Sequence, residues 1–427
     1  MQQATNTASP SLFGSLSDLR ILDLTQMLAG PYCTMVLADQ GATVVKIEPP
    51  EGDMSRGTGL YRDDDQARLL GGYFQSIDRN KDSVVLDLKT EAGKAAFLIM
   101  VQQADIVVES FRAGVMDRLG LSYETLREVN PRLVYGSLRG FGDPRTGASP
   151  YRDWPTYDVV AQAMGGIMAI TGPDANSPTK IGPGIGDIVP GLFLACGLLA
   201  AVHHARRTGQ GQMVDVAMID SIFALCERTV VQNSVGGMVP GPEGNHHPFL
   251  CPFGLFSAKD GLVAIAATKD KFFVLLCRAI EATDLLEDER FSSLIARGTH
   301  KAALIPLLNE RFSRFTKAEL IERLGGKIPF GPVLNVAEAL ADPHSSIRDM
   351  IAEIEQPGSS PIRVAAVPIK MTETPGAVRR RSPLLGYAAL FHPLRGVNFG
   401  FGPEWQCTPV GGGEPICVKL VDKDAVK

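Results

Sequence analysis

The sequence lacks the cysteine spacing, the charge excess and the short motifs that identify several large classes of protein. Its seven cysteines are dispersed over 427 residues with no CxxC pair, which disfavours a disulfide framework or a zinc site and is typical of reduced thiols in a cytoplasmic protein. The net charge of −5 disfavours a nucleic-acid partner, because such proteins usually carry a basic face. There is no Walker A sequence and no Gly-x-Ser-x-Gly motif.

The sequence also lacks a long uninterrupted apolar run. The longest apolar stretch, at 191–202, contains glycines and is followed by His203-His204 and two arginines. It is too short to span a bilayer, so it predicts a buried helix. The pairs His203-His204 and His246-His247 do not have the three- or four-residue spacing of helical metal ligands. We therefore expect no metal site and no membrane segment.

Apolar, β-branched runs alternate with helical patterns in the first part of the chain. A predicted strand at 20–24, a helix at 32–40 and a strand at 43–48 form one parallel crossover unit. The pattern continues with predicted strands and helices at 83–88, 91–103, 106–109, 123–129 and 133–138. This alternation predicts an α/β fold with a mainly parallel sheet.

The length of the chain predicts two domains. A helical pattern over 192–228 is interrupted only by a turn at 208–211. It is followed by a loop rich in glycine and proline, by a hairpin around Lys259-Asp260-Gly261 and by further helical patterns that indicate an α+β domain. The predicted divisions are a disordered leader at 1–17, a large domain at 18–228, a linker with a smaller α+β domain at 229–330, a return to the large domain at 331–386 and an atypical tail at 387–427. The tail shows no periodicity, and we expect it to be poorly packed.

Asp187 lies between a Gly/Pro-rich run at 180–184 and the apolar segment at 191–200. The predicted start of a helix offers free N–H groups and the positive end of a dipole, which favour an ionised carboxylate. Such a carboxylate can attack a carbonyl and form a covalent acyl intermediate. The alternative is that Asp187 is only an N-cap residue.

Three predicted strands are followed by cationic residues, beside an aromatic ring. Ligands of open α/β sheets collect at the carboxyl ends of the strands, where Arg and Lys bind phosphate. These residues predict a phosphorylated carrier such as a nucleotide or coenzyme A; the alternative is that they are solvated surface charges. They are Lys89, Ser110, Phe111, Arg112, Arg118 and Arg139.

A series of short motifs runs in order from residue 19 to residue 386. The motifs include 22–25, 28–32, 41–48, 52–56, 86–89, 109–112, 157–158, 186–187, 208–212, 260–261 and 383–386. Together they resemble the class III coenzyme A transferases, also called the CaiB/BaiF family, which includes formyl-CoA transferase and the α-methylacyl-CoA racemases. The resemblance implies an interlocked homodimer, each chain having a large Rossmann-like domain and a small domain.

The resemblance also implies a CoA-transferase that acts on acyl-CoA and small carboxylic acids, with no permanently bound cofactor. It places the catalytic aspartate at Asp187, with Leu28, Ala29 and Tyr157 in the site. The glycines Gly236 and Gly237 are candidates for a mobile loop over the intermediate, the alternative being a plain linker. The implied coenzyme A positions are Leu86, Lys89, Ser110, Phe111, Arg112 and Arg118.

Tyr157 favours a transferase over a racemase, since racemases of this family carry a histidine there and a tyrosine with a pKa near ~10 is a poor base. A 2-methylacyl-CoA racemase or epimerase is the alternative, and a catalytically silent CoA-binding protein is another. Leu28 stands where oxalate-using relatives have glutamine, which disfavours formate and oxalate. Three candidates could neutralise the second carboxylate of succinate or another dicarboxylate, unless they lie in solvent. They are Arg145, Arg152 and the His246-His247 pair.

Overall fold

A computed structural model describes residues 14–385, apart from 67 and 69, and two short strands near the C-terminus. Six strands form one sheet: β1 (Arg20–Asp23), β2 (Thr43–Glu48), β3 (Lys81–Val85), β4 (Ile106–Glu109), β5 (Val134–Arg139) and β6 (Met213–Ala217). The helices between and after them are α1 (Ala29–Asp39), α2 (Gly72–Ile77), α3 (Glu91–Val101), α4 (Val115–Arg118), α5 (Tyr123–Val129), α6 (Asp158–Met164), α7 (Ile185–Thr208) and α8 (Met218–Leu225).

The six strands are all parallel and lie in the order β3-β2-β1-β4-β5-β6. This is the strand order of the Rossmann fold, in which the direction of the crossovers reverses between the first and fourth strands. The centre of the sheet is apolar and fully covered: Leu22 of β1 pairs with Val45 on one side and with Val107 on the other, and all three are buried. The predicted parallel α/β sheet is confirmed.

Most of the predicted elements lie within two or three residues of their predicted bounds. Helix α5 begins after Ser122, whose hydroxyl accepts a hydrogen bond from the amide of Thr125, and it has the bounds predicted from the sequence. The helical pattern predicted over 192–228, with a turn at 208–211, is wrong after that turn. The segment Met213–Ala217 is an edge strand, because its backbone completes the ladder of β5.

Helix α7 is the longest helix described, and it packs against α1, β5 and β6. Leu194, Leu198 and Ala201 form its buried face. By length and composition alone it could also cross a membrane. The core helix of a globular protein passes the same test, and α7 has such packing.

By its internal contacts the described chain divides into two compact units. The first contains the parallel sheet and consists of the described residues of Met1–Gly166, Gly182–Glu227 and Ser346–Lys427. The second consists of Ile167–Ile181 and Arg228–Ser345. Its strands β7 (Phe253–Ala258), β8 (Gly261–Ala266) and β9 (Phe330–Pro332) form an antiparallel sheet, and its helices are α9 (Glu227–Gly236), α10 (Asp270–Ala279), α11 (Leu294–Thr299), α12 (Lys301–Phe312), α13 (Lys317–Leu324), α14 (Val336–Ala341) and α15 (Pro343–Ile347).

These units differ from the predicted divisions at two places. Residues 167–181 belong with the second unit, where the carbonyl of Gly172 accepts a hydrogen bond from the amide of Gly244. The second unit also continues past 330, because β9 pairs with β8 and the amide of Val333 donates to the carbonyl of Leu262. The antiparallel hairpin predicted at residues 254–266 is confirmed as β7 and β8.

Short elements are also described near both ends of the chain. Residues 14–17 of the predicted leader form a turn in which the amide of Leu16 donates to the carbonyl of Gln40, so the ordered chain starts before 18; residues 1–13 lie outside the described residues. A hairpin of β10 (Ile351–Gln356) and β11 (Ser359–Ala365) belongs to the first unit. Of the predicted tail at 387–427, only the antiparallel strands β12 (Trp405–Thr408) and β13 (Ile416–Lys419) are within the described residues.

A β-carbon at Gly191 would lie 2.5 Å from the carbonyl oxygen of Ala29, where α7 crosses the start of α1. We expect Gly191→Ala to lower the free energy of unfolding by about 1–3 kcal/mol, since overpacking forces the two backbones apart. Urea denaturation measures this change. Gly57→Ala is the control, because nothing lies within 4 Å of the β-carbon it would add. An equal loss of stability in both variants would contradict the prediction.

Candidate active site

A cavity of about 310 Å³ opens at the carboxyl ends of the parallel strands. It lies beyond β1, β4 and β5, and therefore at the switch point between β1 and β4, where ligands of open α/β sheets bind. Its lining comes from the first unit alone: Gln26, Met27, Leu28, Ala29, Met54, Tyr73, Ser110, Phe111, Arg112, Ala113, Leu138, Arg139, Gly140, Arg152, Trp154, Pro155, Thr156, Tyr157, Asp187 and Met218.

Asp187 lies in the first turn of α7, and its side chain faces the cavity. The N-cap residue of this helix is Gly184, which has no side chain with which to cap it. The alternative interpretation of Asp187 as an N-cap is therefore wrong. Within the part of the chain that the structure describes, the carboxylate of Asp187 accepts no hydrogen bond.

The start of α7 is held by Asp158, the first residue of α6. A carboxylate oxygen of Asp158 accepts a hydrogen bond of 2.8 Å from the amide of Gly186. The side-chain amide of Gln162 donates to both oxygens of the same carboxylate, at 2.9 and 3.0 Å. Only a glycine fits at 186, because a β-carbon there would lie 2.6 Å from the carbonyl oxygen of Asp158. Asp158 thus fixes the backbone next to Asp187.

Burial, the larger cause, and the negative charge of Asp158 together raise the pKa of Asp187 to about 7. The helix start was expected to favour the ionised form of Asp187, and the raised pKa contradicts that expectation. Free N–H groups stabilise a carboxylate, but burial beside a second carboxylate has the larger effect here. Near neutral pH, Asp187 exchanges between an ionised and a protonated form.

Three of the predicted site residues line the cavity together with Asp187: Leu28, Ala29 and Tyr157. Tyr157 is the N-cap residue of α6 and is 59% exposed. Sequence analysis missed Tyr73 of α2, which also lines the cavity. Burial raises the pKa of Tyr73 to about 12, and the charge of Asp187 contributes in the same direction, so its hydroxyl stays protonated at neutral pH. No pattern around Tyr73 in the sequence indicates this position.

The residues predicted to bind coenzyme A divide into two groups. Ser110, Phe111 and Arg112 follow β4 and line the cavity. Leu86 and Lys89 follow β3 at the same edge of the sheet, and Arg118 ends α4; none of these three lines the cavity. Leu86 is buried, whereas Lys89, Arg112 and Arg118 are exposed. Among the described residues, no carboxylate forms an ion pair with these three cations.

Arg139 differs from these three cations because it forms ion pairs. Its predicted role as a cation that binds phosphate is therefore corrected. Its guanidinium is buried, pairs with Glu109 at 2.7 Å and also pairs with Asp143. It donates a further hydrogen bond of 3.1 Å to the carbonyl of Phe111. Arg139 therefore holds the backbone that follows β4 and presents no unpaired charge to a ligand.

The structure also distinguishes between the residues predicted to bind the second carboxylate of a substrate. Arg145 pairs with Asp117 at 2.6 Å and with Glu124 at 2.7 Å, and it does not line the cavity. Arg152 does line it, next to Trp154, and its one ion-pair partner among the described residues is the exposed Asp153 at 3.5 Å. The pair His246 and His247 belongs to the second unit.

Gly236 and Gly237 lie in the second unit, at the end of α9, and Gly237 has a φ of +64°. Among the described residues, no group of three histidine, cysteine, aspartate or glutamate side chains is arranged to hold a metal ion. No histidine is present among the residues that line the cavity, so the two-base arrangement of the racemase alternative has no histidine partner there.

The motifs, the fold and the position of Asp187 agree with a comparison against known protein families. The model of CoA-transferase family III matches residues 16–388. The chain belongs to this family. The match leaves out the first 15 residues and all but the first two residues of the predicted tail.

Related proteins of this family cover nearly the same length of chain. The succinyl-CoA:mesaconate CoA-transferase of Haloarcula hispanica is 48% identical over 373 residues, which are 87% of this chain and 94% of that protein. The succinate–glutarate CoA-transferase of Agrobacterium fabrum is 34% identical, over 89% of this chain and 95% of that protein. The crystal structure of a CaiB/BaiF family protein from Brucella suis superposes with a TM-score of 0.79 at 34% identity, over 88% of this chain and 97% of that one.

The electrostatics of Asp187 give a pH prediction for this CoA-transferase family member. A carboxylate attacks a carbonyl only when ionised, so kcat/KM for an acyl-CoA should rise with pH and level off above about 7. Asp158→Asn removes the neighbouring negative charge and should move the midpoint down by about 1 pH unit. Asp105→Asn is the control, since the pKa of this carboxyl is also raised but it lies outside the cavity. A midpoint that Asp158→Asn leaves in place would contradict the assignment.

Proposed function

We propose that this protein transfers coenzyme A from succinyl-CoA to a second dicarboxylic acid, with Asp187 as the nucleophile. The observation that carries the proposal is the position of Asp187: a partly buried carboxylate, without a hydrogen-bond partner among the described residues, at the switch point of a parallel sheet. Two relatives named for succinyl-CoA or succinate and a further dicarboxylic acid support the choice of substrates.

The reaction needs only carboxylates and the thiol of coenzyme A. The carboxylate of Asp187 attacks the thioester carbonyl, the C–S bond breaks, and the CoA thiolate leaves behind a mixed anhydride. The thiolate then attacks the side-chain carbonyl of Asp187, which releases succinate and forms an aspartyl-CoA thioester. The acceptor carboxylate attacks this thioester, and the two steps run in reverse to give the new acyl-CoA and free Asp187. One thioester replaces another, so no external energy source is needed.

The surrounding residues supply binding and stabilisation. Lys89, Arg112 and Arg118, which have no ion-pair partner among the described residues, are the cations for the phosphates of coenzyme A, and Phe111 offers an apolar ring beside them. Leu86 and Ser110 complete this group at the ends of β3 and β4. The protonated hydroxyl of Tyr73 can donate a hydrogen bond to the oxygen that becomes negative in the transition state, as an oxyanion-hole donor does. Leu28, Ala29 and Tyr157 enclose the reacting carbonyl, and Gly236-Gly237 is the candidate covering loop.

Arg152 is the candidate partner of the second carboxylate of the substrate. It is the cavity-lining cation that remains when Arg139 and Arg112 are assigned to other roles. A guanidinium can bind a carboxylate through two parallel hydrogen bonds, which suits a dicarboxylate better than a fatty acyl chain. Trp154 lines the same cavity and packs against Tyr151, with the two ring centroids 4.8 Å apart.

We also infer a homodimer in the cytoplasm, interlocked as in the resembling family. Five large apolar side chains on α7 and α8 are 38–57% exposed in the single chain: Leu192, Phe193, Leu199, Phe223 and Leu225. An apolar surface of this kind is usually covered by a partner, and a second copy of the chain is the partner that the family resemblance implies.

Asp187→Asn should abolish turnover and leave the fold intact, because the amide cannot act as the nucleophile. Mass spectrometry after incubation with succinyl-CoA and hydroxylamine should show a hydroxamate at Asp187 of the unmodified chain and none in the variant. Asp220→Asn, an exposed carboxyl on α8, is the control and should label normally. Turnover by Asp187→Asn near that of the unmodified chain would show that another group is the nucleophile.

Arg152→Gln should weaken the binding of dicarboxylates selectively. A charged hydrogen bond contributes about 1.5–3 kcal/mol, so KM for succinate as acceptor should rise by roughly 10- to 100-fold. KM for butyrate, which lacks the second carboxylate, should change little. Arg145→Gln is the matched control, as its ion pairs lie outside the cavity. Equal effects of Arg152→Gln on both acids would contradict the role of Arg152.

A further inference from the structure

Five charged residues are buried together beneath the cavity, outside the groups that the proposed reaction uses. The ammonium of Lys46 on β2 lies 2.7 Å from Asp53 and 3.4 Å from Asp78. The ammonium of Lys81 on β3 lies 2.8 Å from the same oxygen of Asp78 and 3.0 Å from Asp23. All five side chains are completely buried or nearly so. We call Asp23, Lys46, Asp53, Asp78 and Lys81 the buried ionic cluster.

The buried ionic cluster is bonded to the segment between β1 and α1. The ammonium of Lys46 donates a hydrogen bond of 2.8 Å to the carbonyl of Thr25, and that of Lys81 donates one of 2.9 Å to the carbonyl of Pro31. These two carbonyls bracket Leu28 and Ala29, which line the cavity. The two lysines therefore fix both ends of the segment that faces the reacting carbonyl.

Two further segments of the cavity wall adjoin members of the buried ionic cluster. Asp53 is the N-cap of the 3₁₀ turn Met54–Gly57, where its side chain accepts the amide of Ser55, and Met54 lines the cavity. Asp78 is the C-cap residue of α2, the helix that carries Tyr73. Three separate segments of the wall are thus tied to one set of charges.

Burying such a set is unfavourable unless its geometry is well satisfied. Two ammonium groups face three carboxylates, and each ion costs several kcal/mol of lost hydration. Apolar residues of similar volume would fill the same space without that cost, so burial alone does not account for the cluster. What apolar residues could not supply is donors for the carbonyls of Thr25 and Pro31.

We propose that Lys46 and Lys81 are positioning residues: they hold Leu28, Ala29 and Tyr73 at the distances from Asp187 that acyl transfer requires. The inference rests on the proposed function, because it concerns the alignment of the thioester with Asp187. Misplacement of a reacting group by about 1 Å can slow a reaction by roughly 100-fold even when binding is retained. The cluster should therefore affect the rate of attack more than the affinity for coenzyme A.

The test uses the double variant Lys46→Met/Asp53→Asn in the full-length protein. It removes one positive and one negative charge, so the balance of the cluster is unchanged, but the donor to Thr25 is lost. We expect the rate of hydroxamate formation at Asp187 from succinyl-CoA to fall by about 10- to 100-fold. The Kd for coenzyme A should stay within about threefold. The variant Lys81→Met/Asp78→Asn has the same charge balance and should behave in the same way.

The matched control is Arg79→Met/Asp39→Asn. This pair is also buried, with 2.8 Å between the guanidinium and the carboxylate, but neither residue contacts a cavity-lining segment through its ion pair. Its Tm should fall at least as far as that of the cluster variants, while the rate of hydroxamate formation stays within about twofold. The control thus separates the loss of a buried ion pair from the loss of alignment.

The outcomes distinguish this inference from the proposed function. If the unmodified chain forms no hydroxamate at Asp187, the proposed function is wrong. If it does, and the cluster variants label at the same rate or lose rate only in proportion to the control, the positioning role is overturned. Failure of both cluster variants to fold would also overturn it, because the charges would then be needed for the fold as a whole.

Discussion

The active site depends on one steric constraint, the close approach of two backbone segments at the switch between β1 and β4. The turn into α1 and the first turns of α7 meet where Gly191 leaves room for the carbonyl of Ala29. Gly186 makes the same allowance for Asp158 on the other side of the helix start. Because these two positions carry no side chain, Asp187 reaches a half-enclosed cavity and does not stand on an open surface.

The charged residues around this contact fall into two groups, those that are paired within the protein and those that are not. Arg139 is neutralised by Glu109 and Asp143, and its remaining donor positions Phe111. The two lysines of the buried ionic cluster are similarly paired with its carboxylates and with backbone carbonyls. The cations that stay unpaired among the described residues, Lys89, Arg112 and Arg118, lie on the surface of the same sheet edge. The paired charges thus hold the backbone of the site in place, and the unpaired cations are available to bind a ligand.

The sequence predicted the parts of this arrangement that depend on local pattern. The bounds predicted for β4 and α5, 106–109 and 123–129, agree with the structure, which shows in addition that Ser122 caps α5. Strand β6 was missed, because a five-residue edge strand directly after a long apolar helix is formed by pairing with β5, which is distant in sequence. The pairing of Arg139 and the raised pKa of Asp187 could not be predicted for a related reason. Only the fold brings Glu109 to Arg139 and buries Asp187 near Asp158, and only the fold brings Tyr73 to the cavity.

The proximity of Asp158 to Asp187 has an energetic consequence for the reaction cycle. In the resting protein, a buried carboxylate beside a second negative charge is a high-energy form, as its raised pKa shows. In the proposed reaction, conversion of Asp187 into an uncharged anhydride or thioester removes that repulsion. The ionised resting form is then destabilised relative to the proposed covalent intermediates, which brings the free energies of successive states closer together. When successive states have similar free energies, an enzyme that exchanges one thioester for another can run readily in both directions.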